Sequence, residues 1–184
     1  MSVRKIVISG VLAAVAILLG VTRLGFVPVP TAAGNATIMH VPAIIGGIME
    51  GWAVGAIIGT IFGIFSFLNA EVPMFKDPLV AILPRIFIGI TAFLSYIALK
   101  RINEYLALVV AAVIGTFTNT ALVLGMAVVR GYMAGPVAVG IGVTHGIPEA
   151  IVAAIITVAV VAAWKRVETG TGRARVSEPS SKRL

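Results

Sequence analysis

Apolar residues in this chain fall into long unbroken runs, and the few charged or turn-forming residues between the runs mark where each one ends. The runs lie at about 5–23, 38–50, 52–68, 79–99, 105–129 and 143–164 and predict six helices. The second is unusual. From Ile38 to Met49 it has twelve residues, about 18 Å of helix at ~1.5 Å per residue, against a hydrocarbon thickness of about 30 Å. Glu50 and Gly51 then separate it from a run in which Gly51, Gly55, Gly59 and Gly63 recur every fourth residue. That spacing predicts a helix face without side chains, against which another backbone packs. A short or broken helix beside a glycine-faced one is a pattern of transporter sites.

Composition turns these runs into membrane spans. Hydrophobic residues make up 59% of the 184 residues, charged residues 11%, and mean hydropathy is +1.09, outside the range of soluble domains. The fold class expected is therefore all-α integral membrane, with six transmembrane helices, one of them short or broken. The chain has no cysteine, so disulfides and thiolate metal sites are excluded. The net charge of +7 would point to nucleic acid in a soluble protein, but position accounts for it here. An even number of spans puts both ends on one side. That side collects ten of the fourteen Lys and Arg (Arg4, Lys5, Lys100, Arg101, Lys165, Arg166, Arg173, Arg175, Lys182 and Arg183). The bias predicts cytoplasmic N and C termini in a multi-pass protein of the cell membrane, with attraction to anionic membrane lipid and no nucleic acid partner. Trp52 and Trp164 fall at the same boundary. Residues 1–166 are expected to form one six-helix membrane domain and 167–184 a disordered basic cytoplasmic tail.

The two faces differ. Inner connections are minimal, whereas the outer ones, 24–36, 69–78 and 130–142, are long. Eight of the nine prolines lie in or near these outer loops, so helices are interrupted mainly on that side. Backbone groups freed at membrane depth must be buried in protein or line a cavity. A ligand pocket in the outer half, with the loops as its lid, is the expectation. Ionisable residues agree with it, because His40, Arg85, His145 and Glu149 all fall in the outer half of their spans, where such groups are costly. Asn119 lies nearer the middle of the fifth span. Arg85 and Glu149 serve either as an ion pair joining span four to span six or as ligand contacts. His40 either bonds a free backbone group at its helix entry or touches ligand, and Asn119 is either interhelical glue or a contact. His145 shares a helix face with Glu149.

Chemistry of other kinds finds no support. HGIPE at 145–149 lacks the second histidine of a HExxH zinc site, no G-x-S-x-G elbow occurs, and no G-x-x-x-x-G-K-[ST] loop is present. No catalytic residue, metal site or cofactor is expected, and the chain is not read as an enzyme. A stand-alone proton- or sodium-coupled secondary transporter of a small metabolite is the alternative, but no repeated half is evident.

The segments ATIMHVPAIIGGIMEGWAVGAIIGTIFGIFSF, DPLVAILPRIFIGI, TNTALVLG and HGIPEAIVAAI, in that order, resemble the substrate-binding S components of energy-coupling factor (ECF) vitamin transporters. The likeness spans about residues 5–165 and is greatest to the pantothenate group. It implies capture of a water-soluble vitamin from outside, in partnership with a transmembrane coupling protein and two cytoplasmic ATPases that use the ATP. Riboflavin, folate, cobalamin and pyridoxine are the other vitamins such components take. Pantothenate would place its carboxylate at Arg85, His145 or Arg130, and its hydroxyls and amide at Asn or Thr; the candidate substrate residues are thus Asn35, His40, Arg85, Asn119, Arg130, His145 and Glu149. Where the family carries Ala-x-x-x-Ala for its coupling protein, this chain reads Ser9–Ala13 and Gly10–Ala14, small pairs expected to face the partner.

Overall fold

The apolar runs do become helices, and what ends each one is visible in its residues. The computed structural model describes residues 3–28 and 35–176. Helix α1 is Val3–Val21. Strands β1 (Phe26–Pro28) and β2 (Asn35–Thr37) pair antiparallel, Phe26 opposite Thr37. Helix α2 is Val41–Glu50 and α3 is Trp52–Leu68. Gly51 joins them at φ 105°, in the left-handed region that suits glycine. A 3₁₀ turn, Pro73–Lys76, leads into α4, Pro78–Ala81, whose first turn is capped by the Asp77 carboxylate accepting from the Leu79 N–H at 3.0 Å. Helix α5 is Leu83–Leu99, α6 is Glu104–Val129, and α7 is Gly135–Val176.

Four segments are long and apolar enough to cross a membrane: α1, the α4–α5 stretch Pro78–Leu99, α6, and Gly135–Val167 of α7. Helices α2 and α3 are shorter. Both still belong to the core, and α2 is its axis, with Val41 to Ile48 all buried. The largest apolar cluster gathers Ile44, Ile45 and Ile48 of α2 with Val54, Ile58 and Phe62 of α3, Ile88 of α5 and Leu108 of α6.

The glycine face packs as its spacing predicts, with one exception. A Cβ on Gly55 would lie 2.7 Å from the Gly89 Cα, and one on Gly63 would lie 2.8 Å from the Ile82 Cα. A Cβ on Gly59 would run into the Arg85 carbonyl oxygen. Backbone thus meets backbone along α3 and α5. Gly51 is not part of this contact, since nothing approaches it within 4 Å and its role is the turn.

Ion pairs identify the two ends of the bundle. At one end Arg4 Nε meets Glu50 Oε1 at 3.0 Å, and Lys165 pairs with Glu104 while donating to the Tyr96 hydroxyl at 3.0 Å. The start of α1, the α2–α3 turn, the α5–α6 turn and residue 165 of α7 therefore share an end. Arg23–Glu71 at 2.5 Å and Arg130–Asp77 at 2.6 Å hold the other, the loop end.

Two boundaries differ from expectation. The 130–142 connection is mostly helical, because α7 begins at Gly135 and Ala138 N–H already bonds the Ala134 carbonyl. Pro136 suits a first helical turn, where no N–H is needed, so the Gly-Pro pair starts a helix here and does not extend a loop. At the other extreme α7 continues to Val176, past the expected domain boundary at 166, while 177–184 lie outside the described residues.

Candidate functional site

Proline sets the position of the buried arginine. Pro84 has no N–H to give the Val80 carbonyl, so the hydrogen-bond ladder is interrupted around Ile82, whose backbone stays in the right-handed helical region, and that carbonyl lacks its in-helix donor. The neighbouring Arg85 fills the vacancy, donating from Nη1 to the Val80 oxygen at 2.5 Å. Its guanidinium lies between two aromatic faces, 5.5 Å from the Phe62 centroid and 5.0 Å from that of Phe75. Arg85 is only 4% exposed, and among the described residues no carboxylate lies within ion-pair distance of it. Its Nε has no hydrogen-bond partner among the described residues.

The expected pair between Arg85 and Glu149 is therefore not formed. Glu149 Oε1 accepts instead from the Thr37 N–H of β2 at 2.7 Å, which ties the loop-end hairpin to α7. Arg85 is still near enough for its charge to act on both Glu149 and His40.

His40 is the N-cap residue of α2, but its side chain makes no capping bond there, unlike the backbone-bonding alternative. Its Nε2 lies 2.9 Å from Thr116 Oγ1 on α6. The Thr116 hydroxyl donates to the Ala112 carbonyl at 2.8 Å, so its lone pair takes the Nε2 proton and Nδ1 is left as an acceptor. Nδ1 has no partner among the described residues. On the next turn of α6, Asn119 Oδ1 is also buried without one, whereas the Thr120 hydroxyl faces the Glu149 carboxylate closely enough to donate to it.

Unpartnered buried polar atoms are rare, and each costs roughly 1–3 kcal/mol. Among the described residues, His40 Nδ1, Arg85 Nε and Asn119 Oδ1 are such atoms and belong to this neighbourhood of α2, α5 and α6. Another, Thr157 Oγ1, lies further along α7. Donors and acceptors are both left over, so the arrangement suits a small polar ligand better than a bare ion.

The remaining candidates are placed differently. His145 is buried, its Nδ1 3.2 Å from Thr144 Oγ1, one turn before Glu149. Arg130 is drawn to the loop-end surface by Asp77, which also accepts from the Tyr132 hydroxyl at 3.5 Å. The Arg130 guanidinium holds the Asp77 carboxyl below the usual carboxylate range. Asn35 stands in β2, but its side chain lies outside what the structure describes. On α1 the two small pairs separate. Ser9 and Ala13 are buried in the bundle with Ala16, while Gly10 and Ala14 are exposed. Only the second pair is open to a partner. A surface groove between α6 and α7, lined by Val109, Val113, Phe117, Ile147, Ile151 and Ile155 among others, is apolar and takes no part in the polar cluster.

Sequence reasoning missed Thr116, Phe62, Phe75, the Val80 carbonyl and Asp77. Pro84 beside Arg85 was a usable signal for the carbonyl, and Asp77-Pro78 for the cap. Nothing local marks the two phenylalanines.

Residues 4–161 match the family described as ECF transporter, substrate-specific component. The pantothenic acid transporter PanT of Lactococcus lactis subsp. cremoris (strain MG1363) is 32% identical over 156 residues, covering 69% of this chain and 76% of that protein. The solved structure of the S component of a bacterial ECF transporter superposes with a TM-score of 0.64 at 16% identity, covering 91% of this chain and 97% of the other, and so shares the fold. These relatives are transporter components and not enzymes. With its family match running through nearly all of the helical bundle, this chain belongs to the substrate-specific components of ECF transporters.

Proposed function

We propose that the protein captures pantothenate from outside the cell and delivers it with a transmembrane coupling protein and two cytoplasmic ATPases. The observation that carries this reading is the set of unpartnered buried groups around Arg85. A carboxylate at the Arg85 guanidinium would supply the direct ion-pair partner that it lacks among the described residues, where Glu149 acts on it only from beyond that distance. The hydroxyls and amide of the vitamin offer donors to His40 Nδ1 and Asn119 Oδ1 and an acceptor to Arg85 Nε. The name of the Lactococcus relative points to the same substrate.

In this reading the loop end faces outward, and the hairpin held by Glu149 is part of the cover over the site. Both termini are cytoplasmic, as the basic residues near Glu50, Glu104 and Lys165 favour, and 167–184 extend into the cytoplasm. The exposed Gly10–Ala14 stripe of α1 is the surface offered to the coupling protein.

Binding by the purified protein tests the substrate. A charge-assisted contact contributes about 1.5–3 kcal/mol, so Arg85→Gln should weaken pantothenate binding roughly tenfold or more. The primary amide of pantothenate should bind the wild type poorly and be little affected by the substitution. Equal affinity of wild type and variant for pantothenate would reject the role of Arg85. Liposomes holding this chain alone should show no concentrative uptake under a proton or sodium gradient; accumulation there would favour the stand-alone carrier.

A further inference from the structure

The segment that holds Arg85 is itself held by one carboxylate. Phe75 of the 3₁₀ turn lies over the guanidinium, and Val80 of α4 supplies its carbonyl partner. Asp77 is the residue between these two short elements, and its side chain is buried to 5% exposure. One oxygen accepts from Leu79 N–H at 3.0 Å and fixes the start of α4. The other accepts from Arg130 Nε at 2.6 Å and from the Tyr132 hydroxyl at 3.5 Å, both just beyond α6. Val80 packs under this clamp on Val123 and Ala127 of α6, with Met74 and Phe75 alongside.

A 3₁₀ turn and a four-residue helix have no stability of their own. Their position comes from their neighbours: Gly63 of α3 packs on Ala81 and Ile82 at the α5 side, and toward α6 the hold is this small apolar cluster and the Asp77 carboxylate. The backbone run from Phe75 to Val80 touches Arg85 at both ends, so a shift of the segment moves the aromatic face and the carbonyl together.

We infer that Asp77 is a positioning residue for Arg85. By anchoring 73–81 to the end of α6 it fixes the direction in which the guanidinium meets a ligand carboxylate, and Arg130 acts as its counter-charge without touching ligand. This rests on the proposed role of Arg85 at the carboxylate.

The test measures the affinities of pantothenate and of its primary amide for the purified full chain, together with thermal stability. Asp77→Asn keeps an oxygen for the Leu79 cap and removes the charge. It should weaken pantothenate roughly fivefold, about half in free energy of what losing the Arg85 contact costs, and leave the amide unchanged. Arg130→Gln breaks the same pair from the other side and should do the same. In the Arg85→Gln background, Asp77→Asn should add no further loss for pantothenate, since the group it positions is gone.

Equal weakening of both ligands, or additive losses in the double variant, would make Asp77 a general structural residue and overturn the inference. Unchanged or tighter pantothenate binding in Asp77→Asn with loss in Arg130→Gln would overturn it by making Arg130 the ligand contact. If Arg85→Gln alone leaves pantothenate affinity intact, the proposed carboxylate site fails first, and the inference falls with it for that separate reason.

Discussion

Adding one methyl group at Gly59 should separate α3 from α5 and disturb the ligand site. The new Cβ runs into the Arg85 carbonyl oxygen, a backbone atom that cannot rotate aside as a side chain would. Overpacking of this kind costs about 1–3 kcal/mol, and the lack of a flexible neighbour puts Gly59→Ala near the upper limit, about 3 kcal/mol. Against this, alanine favours a helix over glycine by about 1 kcal/mol. The net loss is about 2 kcal/mol, or roughly 4–8 °C in thermal midpoint for a chain of this size. Gly125→Ala is the matched control, since nothing lies within 4 Å of its Cβ and the residue is exposed on α6. It should be as stable as the wild type or gain up to about 1 kcal/mol. Thermal unfolding of the purified proteins in one detergent compares the three directly. Because the obstructing carbonyl belongs to Arg85, Gly59→Ala should also weaken pantothenate, and Gly125→Ala should not. A Gly59→Ala protein with an unchanged or higher midpoint would refute the backbone contact, and with it the account of how α3 sets the position of Arg85.

On α1, Ala14→Trp should abolish co-purification with the coupling protein while leaving pantothenate binding intact, whereas Ala13→Trp, placed in the buried stripe, should lower stability first; the reverse pattern would mean that Ser9 and Ala13 face the partner. The Asp77 carboxyl titrates below its ordinary value of 3.8 when folded, so its stabilisation is complete above that value and is lost as pH falls through the lower, folded one. Thermal midpoints followed downward from about pH 6 should bring wild type and Asp77→Asn together in acid, and a gap that persists or widens there would contradict the sign. Single cysteines at Ser2 and Ser181 should stay unlabelled by an impermeant thiol reagent on intact cells and react after lysis, while labelling of either without lysis would place that terminus outside.

Much of the bundle could be read along the chain because apolar runs and their breaks are local. Glu50 and Gly51 announce the short α2, and glycines at 55, 59 and 63 announce a close contact, although only the structure identifies α5 as the partner. Pairing was harder to read. Arg85 and Glu149 look complementary as charges, yet backbone groups claimed both, the Val80 carbonyl and the Thr37 N–H. Backbone partners carry no signature in residue type, so a charge count cannot anticipate them. Arg130 does find a carboxylate, but Asp77 lies 53 residues away, a separation that no local pattern spans. The two stripes of α1 are alike in composition, and only the packing of α1 against its neighbours distinguishes the buried one from the open one.

At ten residues, α2 is about 15 Å long, which bears on how the chain is built into the membrane during synthesis. Insertion machinery recognises stretches of about twenty apolar residues, so α2 cannot be released into lipid as a span of its own. We expect it to enter with α3 as a hairpin turning at Gly51, the charge of Glu50 at that turn resisting passage through the bilayer. Arg4, made earlier and already waiting at the start of α1, meets that charge. The order of synthesis thus provides the counter-ion before the acid emerges, and removing Arg4 is expected to show first as a defect in biogenesis, before any loss of vitamin binding in the molecules that do mature.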